Sequence, residues 1–578
     1  MEVVFPSLDS PEFVKAFTVW STSVDALVGL FNQCGVGAEG KAERKEFEQV
    51  LAAFNAVLTE GQPIRSFVYA YVTTDSRNEL AKRSMSRLEN KGVELGKLGT
   101  RFTAWIGGQD VGALIAASPV AAEHAFALCK AHTAARHLMN PAEEDLAADL
   151  SLSGGMAWGK LHGTVSSQIE VQVDGKAIPM SAARNLAYDP DRDVRRSGYE
   201  AELAAWKLWE APIAAAMNGV KGEVGTLAKR RGWTPLEEAL FYAHIDRETL
   251  DAMLGAARAS FPDFRRYLKA KAKYLGVERL AWFDLFAPTA KGGRSWSYGE
   301  GEKFVAEQFG TYSPELKAFA ERAFAERWVD AEPRPGKRDG AFCMGLRKDE
   351  SRVLMNYKDA FGAVSTLAHE LGHAYHNVCL AERTPMQKST PMTLAETASI
   401  FCETIIRHAA LEQGSADDQF DILEAMLQGA CQVVVDITCR FDFESAVFDQ
   451  RRERELSGSE LCDLMLAAQR GTYGDGLDPE FLHPYMWAMK PHYYSAGRSF
   501  YNFPYMFGLL FGIGLYEVYR KDPEAFRSGY DELLSSTGLD DAATLAAKFG
   551  IDIRSRGFWE AGLQSIGRDI DRFEALVG

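Results

Sequence analysis

What this chain does not contain narrows it first. Its eight cysteines, Cys34, Cys129, Cys343, Cys379, Cys402, Cys431, Cys439 and Cys462, include no Cys-x-x-Cys pair, so neither a thiolate metal site nor a dithiol redox motif is written here. Scattered single cysteines read as small buried hydrophobes of a reducing compartment. Positive charge is in deficit: 64 Lys and Arg against 80 Asp and Glu leave a formal charge of −16. Such a surface repels phosphate backbones and anionic lipid, which predicts no nucleic acid and no membrane among the partners. The opening "MEVVFPSLDSPEF" has no basic leader followed by an apolar run. The longest apolar stretch, Phe503 to Tyr519, is short and interrupted by glycine, too little for a membrane span. Repeats of solenoid period and low-complexity tracts are missing as well. The expectation is a cytoplasmic globular protein with no obligate protein partner evident in its text.

What is there suits a large helical protein. At 578 residues and 47% hydrophobic content the chain exceeds one ordinary core, so two lobes are expected. From Ser10 to about Leu150, apolar residues recur at three and four positions, as in "AERKEFEQVLAAFNAVLTE", the period of amphipathic helices. Around Asp174-Gly175 the text switches to alternation, a hairpin signal, and helical text resumes after Asp189. This sets a boundary near residue 190, with an N-terminal helical lobe over 1–190 and the chemistry in 191–578. A second switch, at Val329 to Asp359, predicts two short strands, "GAFCMGL" and "SRVLMNY", joined by a charged turn.

Immediately after that small sheet comes "STLAHELGHAYHNV", with three of the eleven histidines in eight residues. Leu367, Leu371, Ala374 and Val378 supply an apolar stripe, which predicts a helix from Phe361 to Leu380. His369 and His373 are four apart, about 40° around its axis, so both rings leave one face and can reach one ion. Glu370 lies about 100° away, beside the ion. Zinc accepts neutral imidazoles, a catalytic site leaves a position for water, and a neighbouring carboxylate takes that water's proton. His-Glu-x-x-His thus encodes two ligands and a base.

A third ligand is needed. The metzincin pattern would require Gly at 376 and His at 379, whereas the chain has His376 and Cys379. His376 shares the ligand face, yet one helix cannot wrap three side chains tetrahedrally around an ion. It reads as a group beside the ligands or facing substrate, or more plainly as a core or surface histidine. Glu396, in "TPMTLAETASIFCETIIRH", is the better third ligand, and Glu403, seven residues on and on the same face, would orient a histidine without touching the metal.

Beyond the pentapeptide, "SRVLMNYKDAFGAVSTLAHELGHAYH", "LAETASIFCE" and "KPHYYSAGRSFYNFPYMFGLLFGIGLY" together resemble the oligoendopeptidase F family, relatives of thimet oligopeptidase and neurolysin. The resemblance covers roughly Asp189 to the C-terminus. It implies a mainly α fold: a helix-rich two-lobed ellipsoid with a deep central channel and a small β-sheet beside the zinc-binding helix. It implies one Zn²⁺ per chain and short unstructured peptides as substrates, cut at internal bonds. By position in the family motif, His492 and Tyr501 are donors to the oxyanion. Gly340, Ala341 and Phe342 would offer a strand edge to the peptide, with Tyr494 and Tyr505 as further substrate contacts. "SAGRSF" intervenes before Tyr501, a departure from thimet-like relatives that leaves the tyrosine alignment open by one position. Two other readings remain: a zinc carboxypeptidase on a related scaffold, with Arg498 as the carboxylate anchor, and a non-catalytic peptide-binding clamp.

Overall fold

A computed structural model of the chain describes residues 1–37, 42–173, 175–289 and 294–578. The fold is mainly α, as expected: 72% of it is helical, and the described strands form two small sheets. Local chemistry accounts for the helices. Pro11–Gln33 starts where the Ser10 hydroxyl accepts the Phe13 N–H at 3.2 Å, and Pro11, which lacks a donor, fills the first turn. Phe13, Phe17, Trp20, Val24, Leu27 and Phe31, three or four apart, form its buried stripe. They pack on Arg44–Thr74 and Glu79–Gly107 around one core.

Two helical stretches, Pro11–Gln33 and Ala416–Arg451, are long and apolar enough to match a membrane span by composition. The second is mostly buried, while the first buries one stripe, Phe13 to Phe31, and leaves Val14 and Val19 exposed. The hairpin expected near Asp174-Gly175 is present as Glu170–Val173 paired antiparallel with Lys176–Pro179. Asp174 itself lies outside the described residues.

The chain divides into two compact units, each assembled from three stretches. One holds residues 1–138, 295–406 and 522–549; the other holds 139–294, 407–521 and 550–578. The boundary expected near 190 therefore differs from the unit boundaries. Residue 190 does mark an element boundary, because Asp191 caps the long helix Arg192–Arg230. That helix packs against partners such as Ile437–Arg451, more than two hundred residues later, and no local composition signals such a pairing.

The second sheet lies in the first unit. Glu350–Leu354 is its centre, flanked by Phe342–Arg347 in antiparallel register and by the two-residue strand Val329–Asp330 in parallel. The two longer strands match the expected pair, joined by a turn with Lys348 in the left-handed region at φ 43°. Gly340 also lies there, at φ 82°, so the strand begins only at Phe342.

Candidate metal centre

The histidine helix runs from Phe361 to Cys379 and buries Leu367, Leu371 and Ala374 on the face opposed to its ligands. Gly372 lets it approach the next helix. A Cβ there would meet the Ser399 Cα at 2.6 Å and the Ala398 carbonyl oxygen at 2.7 Å. That next helix, Thr397–Gln413, follows the short turn Met392–Ala395, and Glu396 is the residue between them. Its carbonyl accepts the Ile400 N–H at 3.1 Å, while its side chain points to the histidines.

Glu396 Oε2 lies 3.2 Å from His369 Nε2 and 3.4 Å from His373 Nε2. One ligand atom from each of the three residues falls within 4.8 Å of the others, the only such group found among the described residues. The rings of His369 and His373 sit 4.9 Å apart at 83°, and both present Nε2 to the same Glu396 oxygen. Two imidazoles and a carboxylate are a donor set that suits a divalent ion of borderline hardness.

The surrounding groups tune these three. Glu403 Oε2 lies 3.2 Å from His369 Nδ1, and Ser365 donates to Glu403 Oε1 at 2.9 Å. Ser399 donates to Glu396 Oε2 at 2.6 Å. Burial works against charge on His369, but hydrogen bonds that its ring donates to Glu396 and Glu403 override it and raise its pKa. Burial likewise opposes the Glu396 carboxylate, and His369 and His373 override it and lower its pKa. His373 has less compensation, and burial brings it down to about 4. Glu370 is 5% exposed, and one of its oxygens, Oε2, has no hydrogen-bond partner. Burial pushes its carboxyl up to about 7, with His369 opposing and Glu396 and Glu403 reinforcing. A buried oxygen without a partner is costly unless something in the cavity engages it.

His376 shares the ligand face, as its spacing implies, but its Nε2 is engaged by the Leu534 carbonyl at 3.1 Å and the Thr537 hydroxyl at 2.9 Å. It is buried and pushed down to about 4 by that burial, so a neutral ring fastens the helix to residues 522–549. Packing, the blander of the readings considered for it, fits this placement.

A cavity of about 560 Å³ opens beside the cluster, lined by His369, Glu370, His373 and Glu396 and by Ala341, Phe342, Cys343 and Gly345 of the strand segment. Gly340 is not part of that lining; its carbonyl accepts from Asn356 at 3.1 Å. Strand order leaves Phe342–Arg347 at the sheet edge. The Val353 N–H donates to Trp328 on the far side, at 2.9 Å, so Cys343, paired opposite Val353, turns its own N–H and C=O toward the open edge. Gly345, two residues on, faces the same way, and its carbonyl accepts from Ser66 at 2.8 Å. The helix Arg44–Thr74 lies along this edge, with Ser66 on the Gly345 carbonyl and the Tyr69 ring 5.4 Å from that of Phe342, and between them the Cys343 N–H and C=O carry no backbone partner among the described residues.

The remaining sequence-derived residues belong to the other unit. His492 and Tyr501 stack there with ring centres 5.0 Å apart and 16° between planes. Burial, then Arg440 and Lys490, lowers the His492 pKa, and its Nδ1 is buried without a partner. The Tyr505 ring lies 5.9 Å from Tyr501 and is exposed. The Arg498 guanidinium lies over the Tyr501 ring at 5.5 Å. Tyr494 differs from the expectation: it is 4% exposed, stacked on His162 at 3.6 Å, with its hydroxyl on the Trp487 carbonyl. A ring packed that way has no face left for a peptide.

Sequence reasoning missed Ser365 and Ser399. Helical spacing could have found both, since Ser365 precedes His369 by four residues and Ser399 follows Glu396 by three.

A helix pair presenting two histidines and a glutamate, with a second glutamate between the histidines, defines a metallohydrolase type of centre. The model of peptidase family M3 matches residues 185–565, and the chain belongs to that family. Among curated proteins it is 27% identical over 399 residues to the group B oligopeptidase PepB of Streptococcus agalactiae, covering 68% of this chain and 66% of that one. It is 23% identical over 398 residues to the oligopeptidase PepF of Bacillus subtilis, covering 68% and 59%. The chain thus aligns with a little under two thirds of these relatives' length. A solved Chlamydophila abortus chain shares the fold with a TM-score of 0.84 at 19% identity, covering 97% and 96%. The oligoendopeptidase F of Enterococcus faecium does so at 0.69 and 16%, covering 98% of each.

Proposed function

We propose that this chain is a zinc-dependent oligoendopeptidase that hydrolyses internal bonds of short, unstructured peptides. The observation that carries the reading is the convergence of His369, His373 and Glu396 beside the unpartnered, near-neutral carboxyl of Glu370. Bound there, one zinc ion would supply Lewis acidity toward a water and a peptide carbonyl. Glu370, close to neutrality, takes a proton from that water and hands it to the departing amine. Glu403 holds His369 Nδ1, so the other ring nitrogen faces Glu396 and His373. Ala341, Phe342 and the free backbone groups of Cys343 receive a peptide as an added strand, which is tolerant of sequence because main chain does the pairing. His492 and Tyr501 are assigned as oxyanion donors on the family likeness, with Tyr505 as a further substrate contact. A cytoplasmic location belongs to the same proposal, supported by eight free cysteines.

The test pairs wild type with Glu370→Gln, measuring zinc content and cleavage of an internally quenched decapeptide blocked at both ends. Wild type is expected to cut internally, and the variant to keep its zinc while losing turnover by about 10³-fold or more. If neither protein cuts the blocked peptide, the endopeptidase assignment fails. Cutting of the same peptide with a free C-terminus would then mark a carboxypeptidase, and binding without any cutting a clamp.

A further inference from the structure

The cavity beside the metal centre is lined by two lysines that make no close ion pair among the described residues. Apart from the histidines and glutamates of the cluster, its only charged lining residues are Lys348 and Lys388, in a chain whose net charge is −16. Glu396 is committed to His369 and His373, and no ion pair within 4 Å joins either lysine to a carboxylate among the described residues. Lys388 is half-buried, and its ammonium donates to the Ala381 carbonyl at 3.1 Å, a neutral partner. Burial draws its pKa down, with Glu382 opposing. Lys348 sits at the turn between the two longer strands in left-handed backbone, φ 43°, where Gly or Asn is the ordinary choice. Its side chain is exposed and lines the same cavity.

The half-buried Lys388 ammonium is unfavourable until an anion meets it, and the exposed Lys348 adds a second positive charge to the same lining. A peptide laid along Phe342–Gly345 sends alternate side chains toward this wall. We infer that the cavity is a carboxylate subsite, in which Lys348 and Lys388 together bind a carboxylate of the substrate. This rests on the peptidase reading above and extends it. The carboxylate comes either from an Asp or Glu side chain or from a peptide's own C-terminus.

Zinc-loaded Glu370→Gln protein, which binds without cutting, separates these sources. It is titrated with fluorescent, amidated decapeptides carrying one Glu or one Gln at each position in turn, and with a Gln peptide whose C-terminus is free. At one position, or for the free terminus, the carboxylate form is expected to bind about tenfold tighter. Lys348→Asn, which suits the left-handed backbone, and Lys388→Met should each shrink that ratio, and together bring it to about one. Lys388→Arg, keeping the charge, should preserve it and so controls for misfolding. Equal affinity of all three peptide types, absence of binding by any, or a preference that survives the double variant each overturns the inference. Intact discrimination in a protein whose wild type cuts nothing would sink the peptidase reading and leave the subsite standing.

Discussion

Glu403 touches no ligand position itself, yet it sets what His369 can do. Its Oε2 holds Nδ1 of that ring, and Ser365 holds its other oxygen. Glu403→Gln removes the charge and keeps the shape, so metal affinity is expected to fall about 10- to 100-fold in competition with a chelator. An unchanged affinity would show that ring orientation is fixed by packing alone. The same pair predicts a proton effect. Burial disfavours charge on His369, but Glu396 and Glu403 raise its pKa, so without an ion the ring keeps its proton at neutral pH. A divalent ion takes the proton's place, and calorimetry in two buffers of different ionisation heat should detect release of about one proton per ion. Affinity then weakens as pH falls. His369, Glu370 and His373 are legible in the sequence because helical spacing alone brings them together. His376 is not, since its partners Leu534 and Thr537 lie about 160 residues away.

At the scale of elements, the site depends on how closely two helices meet. Gly372 is the contact, and the atoms that a methyl group would strike belong to the backbone of Ala398 and Ser399, which cannot swing aside. Gly372→Ala is expected to cost about 1–3 kcal/mol in denaturant unfolding. It should also weaken metal binding, because Ser399 and Glu396 shift with that backbone. Normal zinc affinity with lowered stability would separate packing from ligand placement. The histidine helix and the two longer strands were readable, each from a period of its own. Val329–Asp330 was not, because two residues show no alternation. Nor was the closure of the strand edge by Ser66, which comes from a helix 279 residues away from Gly345.

For the whole molecule, Asp569 offers a measurable handle on stability. It is 7% exposed, and burial pushes its carboxyl up to about 6, with Arg572, Arg568 and Arg407 opposing. Its folded pKa is thus higher than the ordinary 3.8, and as pH rises the unfolded chain gives up this proton first. The contribution of this group to stability should therefore fall between about pH 4 and pH 6 and stay level above, and Asp569→Asn should remove that component, on the order of 3 kcal/mol at neutral pH. A variant with the wild-type pH profile would show the carboxyl to be ordinary. The two-unit division escaped the sequence because each unit interleaves three stretches, and contacts between distant stretches leave no local trace. That interleaving also imposes an order in time. As the chain leaves a ribosome, His369, His373 and Glu396 emerge well before residues 522–549, whose Leu534 and Thr537 fasten His376. At elongation rates of about 5–20 residues per second the gap is on the order of ten seconds, and for its duration the ligand helix has its contacts with the preceding strands but lacks those with Pro523–Ser535. His376 thus gains its partners only near the end of synthesis, and the fastening of the ligand helix is a late step of folding.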